Sequence, residues 1–206
     1  QNLNCVVDVG SSFYHVVAVQ SDGTVWTWGL GNSGQLGDGP ANTFRILPAQ
    51  VPGLTGVTAI ATSDAHVLAL KFDGTVWAWG AAASGQLGIG PNPPAFQYTP
   101  VQVQGLSNVV AVATAPDTAR SYAITSNGRV WVWGQNAFGA LGTGNISGET
   151  LYTPHQLVSL TNVQTIRAAS FAMFAINGDG AVWASGSNDQ GLLGPTVPSG
   201  TYWYSP

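Results

Sequence analysis

Three histidines, one cysteine and nine acidic residues are the side chains of this sequence with catalytic or metal-ligating reach. A nucleophilic site would need a serine or Cys5 held beside a histidine. No nucleophile elbow or other catalytic motif surrounds His15, His66 or His155. Two of the histidines share a context: His15-Val-Val-Ala-Val19 and His66-Val-Leu-Ala-Leu70 each begin seven residues ahead of an Asp-Gly pair. The pair could share a metal, but two ligands make a weak site, and the same slot continues as Arg120 and Ala172. Each histidine is therefore read as a hydrogen-bonding tie within its own segment. Asp22, Asp73 and Asp179 supply one carboxylate per turn, with Asn127 in the third copy, far short of the oxygen cage that calcium needs. No phosphate loop or dinucleotide fingerprint is present. A non-catalytic protein with no cofactor and no metal is expected.

The elements that carry these residues repeat. Asp22-Gly-Thr-Val-Trp-Thr-Trp-Gly29 returns as Asp73-Gly-Thr-Val-Trp-Ala-Trp-Gly80, Asn127-Gly-Arg-Val-Trp-Val-Trp-Gly134 and Asp179-Gly-Ala-Val-Trp-Ala-Ser-Gly186, at intervals of 51, 54 and 52 residues. A second signature keeps the same register: Gly34-Gln-Leu-Gly37, Gly85-Gln-Leu-Gly88, Gly139-Ala-Leu-Gly142 and Gly191-Leu-Leu-Gly194. Short apolar segments and glycine turns on a period near fifty mark a propeller array. Ahead of each Asp-Gly lie apolar stretches such as Val57–Ala61 and Ala65–Leu70, which suit strands covered on both faces. Asp-Gly and Asn-Gly tolerate the positive φ of a tight hairpin turn. In the strand that follows, tryptophans two residues apart share a face, so Trp26, Trp28 and their counterparts are placed between adjacent blades. The fold expected is an all-β propeller of about four blades of four antiparallel strands, as a closed ring or as an open arc of a larger one. Residues 1–206 read as one array, with blades near 1–50, 51–102, 103–156 and 157–206.

Composition narrows the partners. Only 7% of residues are charged and the net charge is −4. The five cations Arg45, Lys71, Arg120, Arg129 and Arg167 are scattered, which leaves no footprint for nucleic acid or anionic lipid. No apolar run approaches the roughly 18 residues of a membrane span. A neutral polar surface of this kind suits an extracellular or cell-surface protein. Cys5 has no partner for an intrachain disulfide; it sits in the slot of Gly56, Asn108 and Asn162 as a free thiol, with an intermolecular link as the alternative.

A blade that runs from the histidine through Asp-Gly-x-Val-Trp-x-Trp-Gly to Gly-Gln-Leu-Gly resembles the repeat of the regulator of chromosome condensation family. The paired-glycine signature of kelch repeats is absent. The resemblance covers nearly the whole chain and implies a β-propeller, commonly of seven four-stranded blades, used to bind proteins. Nucleotide exchange in that family's founding member depends on a wedge-like insertion, for which intervals of 51 to 54 leave no room here. Chromatin docking would need a basic patch that these cations do not form. The nearer likeness is to bacterial proteins with this repeat.

Three architectures remain open from sequence: a closed four-bladed ring, an open arc, and an arc completed by a second chain. The resemblance implies a shallower angle between blades than a four-bladed ring demands, since the family's inter-blade tryptophans suit a larger ring, and this favours an arc. The chain opens on Gln1, and Pro206 stands in phase with Pro48, Pro100 and Pro154, so four whole units cut from a longer array are expected. In the fourth unit Ser185 replaces the second tryptophan and Pro195-Thr196 breaks the Gly-x-Gly ending. The aromatic Tyr202, Trp203 and Tyr204 are expected to close the ring or to contact a neighbouring molecule.

Binding sites on arrays lie where the repeats differ. The candidate partner-binding residues are Phe13, Tyr14, Phe44, Arg45, Phe96, Tyr98, Phe138 and Tyr152, together with Tyr202, Trp203 and Tyr204. The function expected is a protein-binding scaffold that recognises a protein partner through its variable loops. Alternatives are a structural subunit of a fibre or surface layer that self-associates through blade edges, and a carbohydrate-binding propeller. Asn145-Ile-Ser147 is a sequon that would carry a glycan in a glycosylating secretory pathway.

Overall fold

A computed structural model describes residues 3–146 and 148–194. Its strands fall into four sheets. The first is β1 (Val6–Ser11), β2 (His15–Gln20), β3 (Val25–Leu30) and β4 (Phe44–Gln50). The second is β5 (Val57–Thr62), β6 (His66–Lys71), β7 (Val76–Ala81) and β8 (Phe96–Gln102). The third is β9 (Val109–Thr114), β10 (Arg120–Thr125), β11 (Val130–Gln135) and β12 (Thr150–Leu157). Among the described residues the fourth has three strands, β13 (Val163–Ala168), β14 (Ala172–Asn177) and β15 (Val182–Gly186). Every pairing is antiparallel and joins strands consecutive in sequence. The Pro195-Thr196 ending, the Tyr202-Trp203-Tyr204 segment and Ser147 of the sequon lie outside the described residues.

The Asp-Gly pairs turn the second strand into the third. Asp22 Oδ1 accepts the Thr24 amide at 2.9 Å and the Thr24 hydroxyl at 2.7 Å, and Asp73 does the same with Thr75 at 3.0 and 2.6 Å. These bonds fix the turn and hold both carboxyls below the usual aspartate range. The Cys5 slot has a conformational rule of its own. Cys5, Gly56, Asn108 and Asn162 all take φ between 53° and 72°, the left-handed region where Gly and Asn are at ease and cysteine is strained.

Sheets stack face to face. The face of the first sheet that carries Val17, Val19 and Val25 meets the face of the second that carries Trp77 and Trp79. Leu68, Leu70 and Val76 meet Trp131 and Trp133 in the same way, and Tyr122, Ile124 and Val130 meet Trp183. The indole N–H of Trp79 donates to the Gln35 carbonyl at 3.0 Å and that of Trp133 to Gln86 at 2.9 Å. In the fourth sheet the Ser185 hydroxyl takes over, donating to Ala140 at 3.3 Å. A Cβ at Gly37 would lie 2.8 Å from Trp79 Nε1, so the bare backbone of this loop is what admits the ring. The buried leucines Leu36, Leu87 and Leu141 anchor the loop below.

The stack runs one way and does not return. Inner strand β1 packs on β5, β5 on β9 and β9 on β13, and no packing of that kind joins β13 to β1 among the described residues. Among the described residues the sheets form the arc rather than a closed four-bladed ring. Among the described residues no helix is long and apolar enough to cross a membrane.

Candidate functional site

The antiparallel register sorts the connections into two ends. The β1–β2 loop meets the exit of β3, where the Leu30 amide donates to the Tyr14 carbonyl at 2.8 Å, and Leu30 pairs with Phe44 at the entry of β4. The β1–β2 and β3–β4 loops, with their counterparts in later sheets, therefore share one end of the arc. The Asp-Gly turns occupy the other, beside the Cys5 slot: the Ser21 amide donates to the Cys5 carbonyl at 2.8 Å.

The loop end is held from below by the histidine slot. His15 Nδ1 lies 2.8 Å from Ser12 Oγ and His66 Nδ1 lies 2.5 Å from Ser63 Oγ, so each ring fastens the β1–β2 or β5–β6 loop of its own sheet. His66 reaches further, with Nε2 at 2.9 Å from Ser121 Oγ in the third sheet. Arg120, next in the slot, donates to the Ser170 carbonyl of the fourth sheet. The slot thus links neighbouring sheets as well as closing loops, a role sequence reasoning missed. Both rings are buried, and desolvation lowers their pKa to about 4 for His15 and about 3 for His66, so they are neutral at physiological pH. Burial likewise pushes the Tyr122 hydroxyl up to about 12, where it donates to the Ala140 carbonyl at 3.2 Å. Among the described residues no group of three or more His, Cys, Asp or Glu could hold a metal ion.

Above this base the candidate aromatics divide. Phe13, 80% exposed, and Tyr14 sit together on the β1–β2 loop with ring centroids 6.1 Å apart. Phe138 is exposed on the β11–β12 loop and meets Phe171 of the β13–β14 loop edge to face, 5.5 Å between centroids. Phe44 and Phe96 are exposed at the entries of β4 and β8. Tyr98 and Tyr152 are half-buried against the preceding sheet, their carbonyls accepting the Gly39 and Gly90 amides at 3.0 and 2.9 Å. Arg45 is engaged internally by Asp38 and by Thr27 Oγ1 at 3.0 Å. Asn145 of the sequon donates to Glu149 at 2.9 Å. Phe171 was not singled out from sequence, although it holds the register position of Tyr14, one residue before the histidine slot. Asp64 and Asp117 stand between the aromatic loops and line a solvent-open cavity of about 320 Å³ with Ser63, Thr118 and Gln135.

Family models decide what this architecture is. The model for the regulator of chromosome condensation (RCC1) repeat matches residues 22–70, 73–117 and 127–176, and a second model of the same repeat matches 6–35 and 57–86. The chain belongs to the regulator of chromosome condensation repeat family. Among relatives of this repeat family, the mouse E3 ubiquitin-protein ligase HERC2 is 31% identical over 195 residues, which is 92% of this chain and 4% of that protein. The ultraviolet-B receptor UVR8 of Arabidopsis thaliana is 27% identical over 193 residues, 92% of this chain and 43% of the receptor. Solved propellers share the fold: yeast RCC1 (Prp20) bound to Kap60 aligns with TM-score 0.81 at 21% identity, over 98% of this chain and 48% of that one. Human WBSCR16 aligns with TM-score 0.79 at 22% identity, over 94% and 51%. The chain therefore spans a small part of the ligase and about half of the receptor and of the solved propellers.

Proposed function

We propose that this chain is a non-catalytic protein-binding scaffold that takes its partner on the loop end of the arc. The observation that carries the reading is the gathering of exposed aromatics there: Phe13, Tyr14, Phe44, Phe96, Phe138 and Phe171 come from loops and strand entries of all four sheets. Exposed aromatic rings on a rigid base are effective interface anchors, because they bring large contact area at little entropic cost. Asp64 and Asp117 beside them favour a partner segment with basic side chains. The solved propellers support the same use of the scaffold, since yeast RCC1 was crystallised with Kap60 and Prp20p has binding properties toward Gsp1p and histones. The 7% charge content supports an extracellular or cell-surface setting.

The test is a random-peptide display selection on the immobilised chain, repeated on the triple variant Phe13→Ala, Tyr14→Ala, Phe138→Ala. Peptides enriched on the parent and lost on the variant are expected, with Lys or Arg among them. Equal enrichment on both proteins overturns the reading.

A further inference from the structure

The loops that lead into the histidine slot differ at one position that shapes the loop end. The residue before the slot is Tyr14 in the first sheet, Ala65 in the second, Ala119 in the third and Phe171 in the fourth. Exposed aromatic rings thus stand at both flanks, with a single methyl group on each of the two loops between them. Between the two alanines opens the cavity of about 320 Å³, at the low end of the range for ligand pockets. Its walls come from the second and third sheets: the β5–β6 and β7–β8 loops on one side, the β9–β10 loop and the end of β11 on the other.

The fold leaves polar groups of this cavity unused. Gln86, which lines it, is 5% exposed; its Oε1 accepts the Ser84 amide at 2.9 Å, while its Nε2 has no acceptor among the described residues. Thr118 beside it leaves Oγ1 without a partner among the described residues. The neighbouring His66 offers nothing further, since Nδ1 is engaged by Ser63 Oγ and Nε2 by Ser121 Oγ. A secluded amide donor left unpaired costs free energy, which a ligand that brings an acceptor recovers.

Unspent negative charge surrounds that donor. Asp64 and Asp117 come from opposite walls, and the Asp64 amide donates to the Pro116 carbonyl at 2.9 Å, which ties the two loops together. Asp64 Oδ1 accepts the Phe13 amide at 3.4 Å, the Asp117 carboxylate accepts no bond, and neither is ion-paired among the described residues. Other carboxylates are engaged: Asp38 by Arg45, Asp8 by the Ile60 amide, Asp22 and Asp73 by their turns, Glu149 by Asn145. No Lys or Arg lines the cavity.

We infer that this notch takes one arginine side chain of a bound peptide, with Asp64 and Asp117 receiving the guanidinium and Gln86 Nε2 donating to a carbonyl of the same peptide. The inference rests on the reading of the loop end as the partner-binding face and names the residue that the partner places there. Arginine fits better than lysine: its planar fork of five N–H donors serves two carboxylates at once, whereas an ammonium is a point charge with three. Charge-assisted bonds of this kind are about twice as strong as neutral ones. The small side chains of Ala65 and Ala119 leave the room, and the rings of Tyr14 and Phe171 to either side offer contact area to the peptide's neighbouring residues.

The test is a chemical-shift titration of the whole chain with a blocked Gly-Arg-Gly tripeptide, beside the same tripeptide with lysine or citrulline in the middle. The arginine peptide is expected to saturate one site and to shift the Gln86 side-chain amide. The lysine peptide should bind more weakly, and the citrulline peptide, which keeps the shape and loses the charge, about tenfold more weakly. Asp64→Asn combined with Asp117→Asn should weaken arginine binding by a similar factor with unchanged circular dichroism, because an amide oxygen at position 64 still accepts the Phe13 amide. Ala119→Phe gives the third sheet the ring that the fourth carries at this position, and should abolish binding. No saturable binding of the arginine peptide, equal binding of citrulline, or an affinity unchanged in either variant overturns the proposal. The two readings fail separately. Displayed peptides lost on the aromatic triple variant, with no arginine tripeptide bound, keep the loop end as the binding face and overturn the notch. A bound arginine tripeptide with no displayed peptide selected supports the notch and removes the aromatic anchors.

Discussion

Acid should destabilise this protein through its two buried histidines, His15 and His66. The folded chain holds His15 and His66 neutral, with pKa values lowered to about 4 and about 3, while in the unfolded chain both return to the ordinary value near 6.5. Between those limits the unfolded state binds more protons than the folded one, so stability falls as pH falls. The stabilising preference is intact above pH 6.5 and is lost progressively down to pH 4 to 3. Each ring contributes a slope of about 1.4 kcal/mol per pH unit, hence about 3 kcal/mol per unit for the pair. At pH 4.5 the accumulated loss is about 5 kcal/mol, comparable with the whole stability of a modest domain. The assay is urea unfolding followed by tryptophan fluorescence at half-unit steps from pH 7 to 4.5. The variant His66→Gln, which cannot titrate, should halve the slope between pH 6 and 5. Asp22 and Asp73 do not confuse this window, because their lowered pKa values give a stability contribution lost only below the ordinary aspartate range. A parent flat from pH 7 to 5, or an identical slope in the variant, would refute the reasoning.

The tryptophan ladder and the left-handed slot give two further expectations. Trp133→Phe removes an indole N–H bonded to the Gln86 carbonyl, which still accepts from the Ser121 hydroxyl at 2.7 Å, and should cost about 0.5–1.5 kcal/mol in urea unfolding. Trp28→Phe, the same chemical change at a half-buried indole that has no acceptor among the described residues, should leave urea unfolding within about 0.5 kcal/mol. Cys5→Asn places a residue tolerant of positive φ at φ 53°, and should raise stability by up to about 1 kcal/mol in the same assay.

Much of the fold was legible because its causes are local. Asp-Gly pairs dictate turns, alternation sets which face a side chain takes, and a fifty-residue period repeats one solution four times. The reading of Asp22 and Asp73 as turn formers rests on contacts two residues away, which is why the sequence sufficed. The arc was favoured over a closed four-bladed ring from sequence, and the described sheets stack that way, but the inter-sheet rotations that set its curvature are encoded by no single motif. The reach of His66 to Ser121 and of Arg120 to Ser170 spans 55 and 50 residues, and nothing in the local pattern announces it. The Cys5 slot could have been read: Gly56, Asn108 and Asn162 are the residues that positive φ selects. Among the candidate aromatics, burial rather than residue type separates Phe13 and Phe138 from Tyr98 and Tyr152. The first two sit on loop tips, and the others lie on strands covered by the preceding sheet.

The claim that a partner docks on the loop end is tested most directly by site-specific photo-cross-linking in the cells that make the protein. A photoreactive phenylalanine analogue placed at Phe13 or Phe171 samples the loop end, and one at the exposed Phe72 samples the turn end. The account predicts protein adducts from positions 13 and 171 and none from 72. Adducts from Phe72 alone, or equally from all three positions, would contradict it.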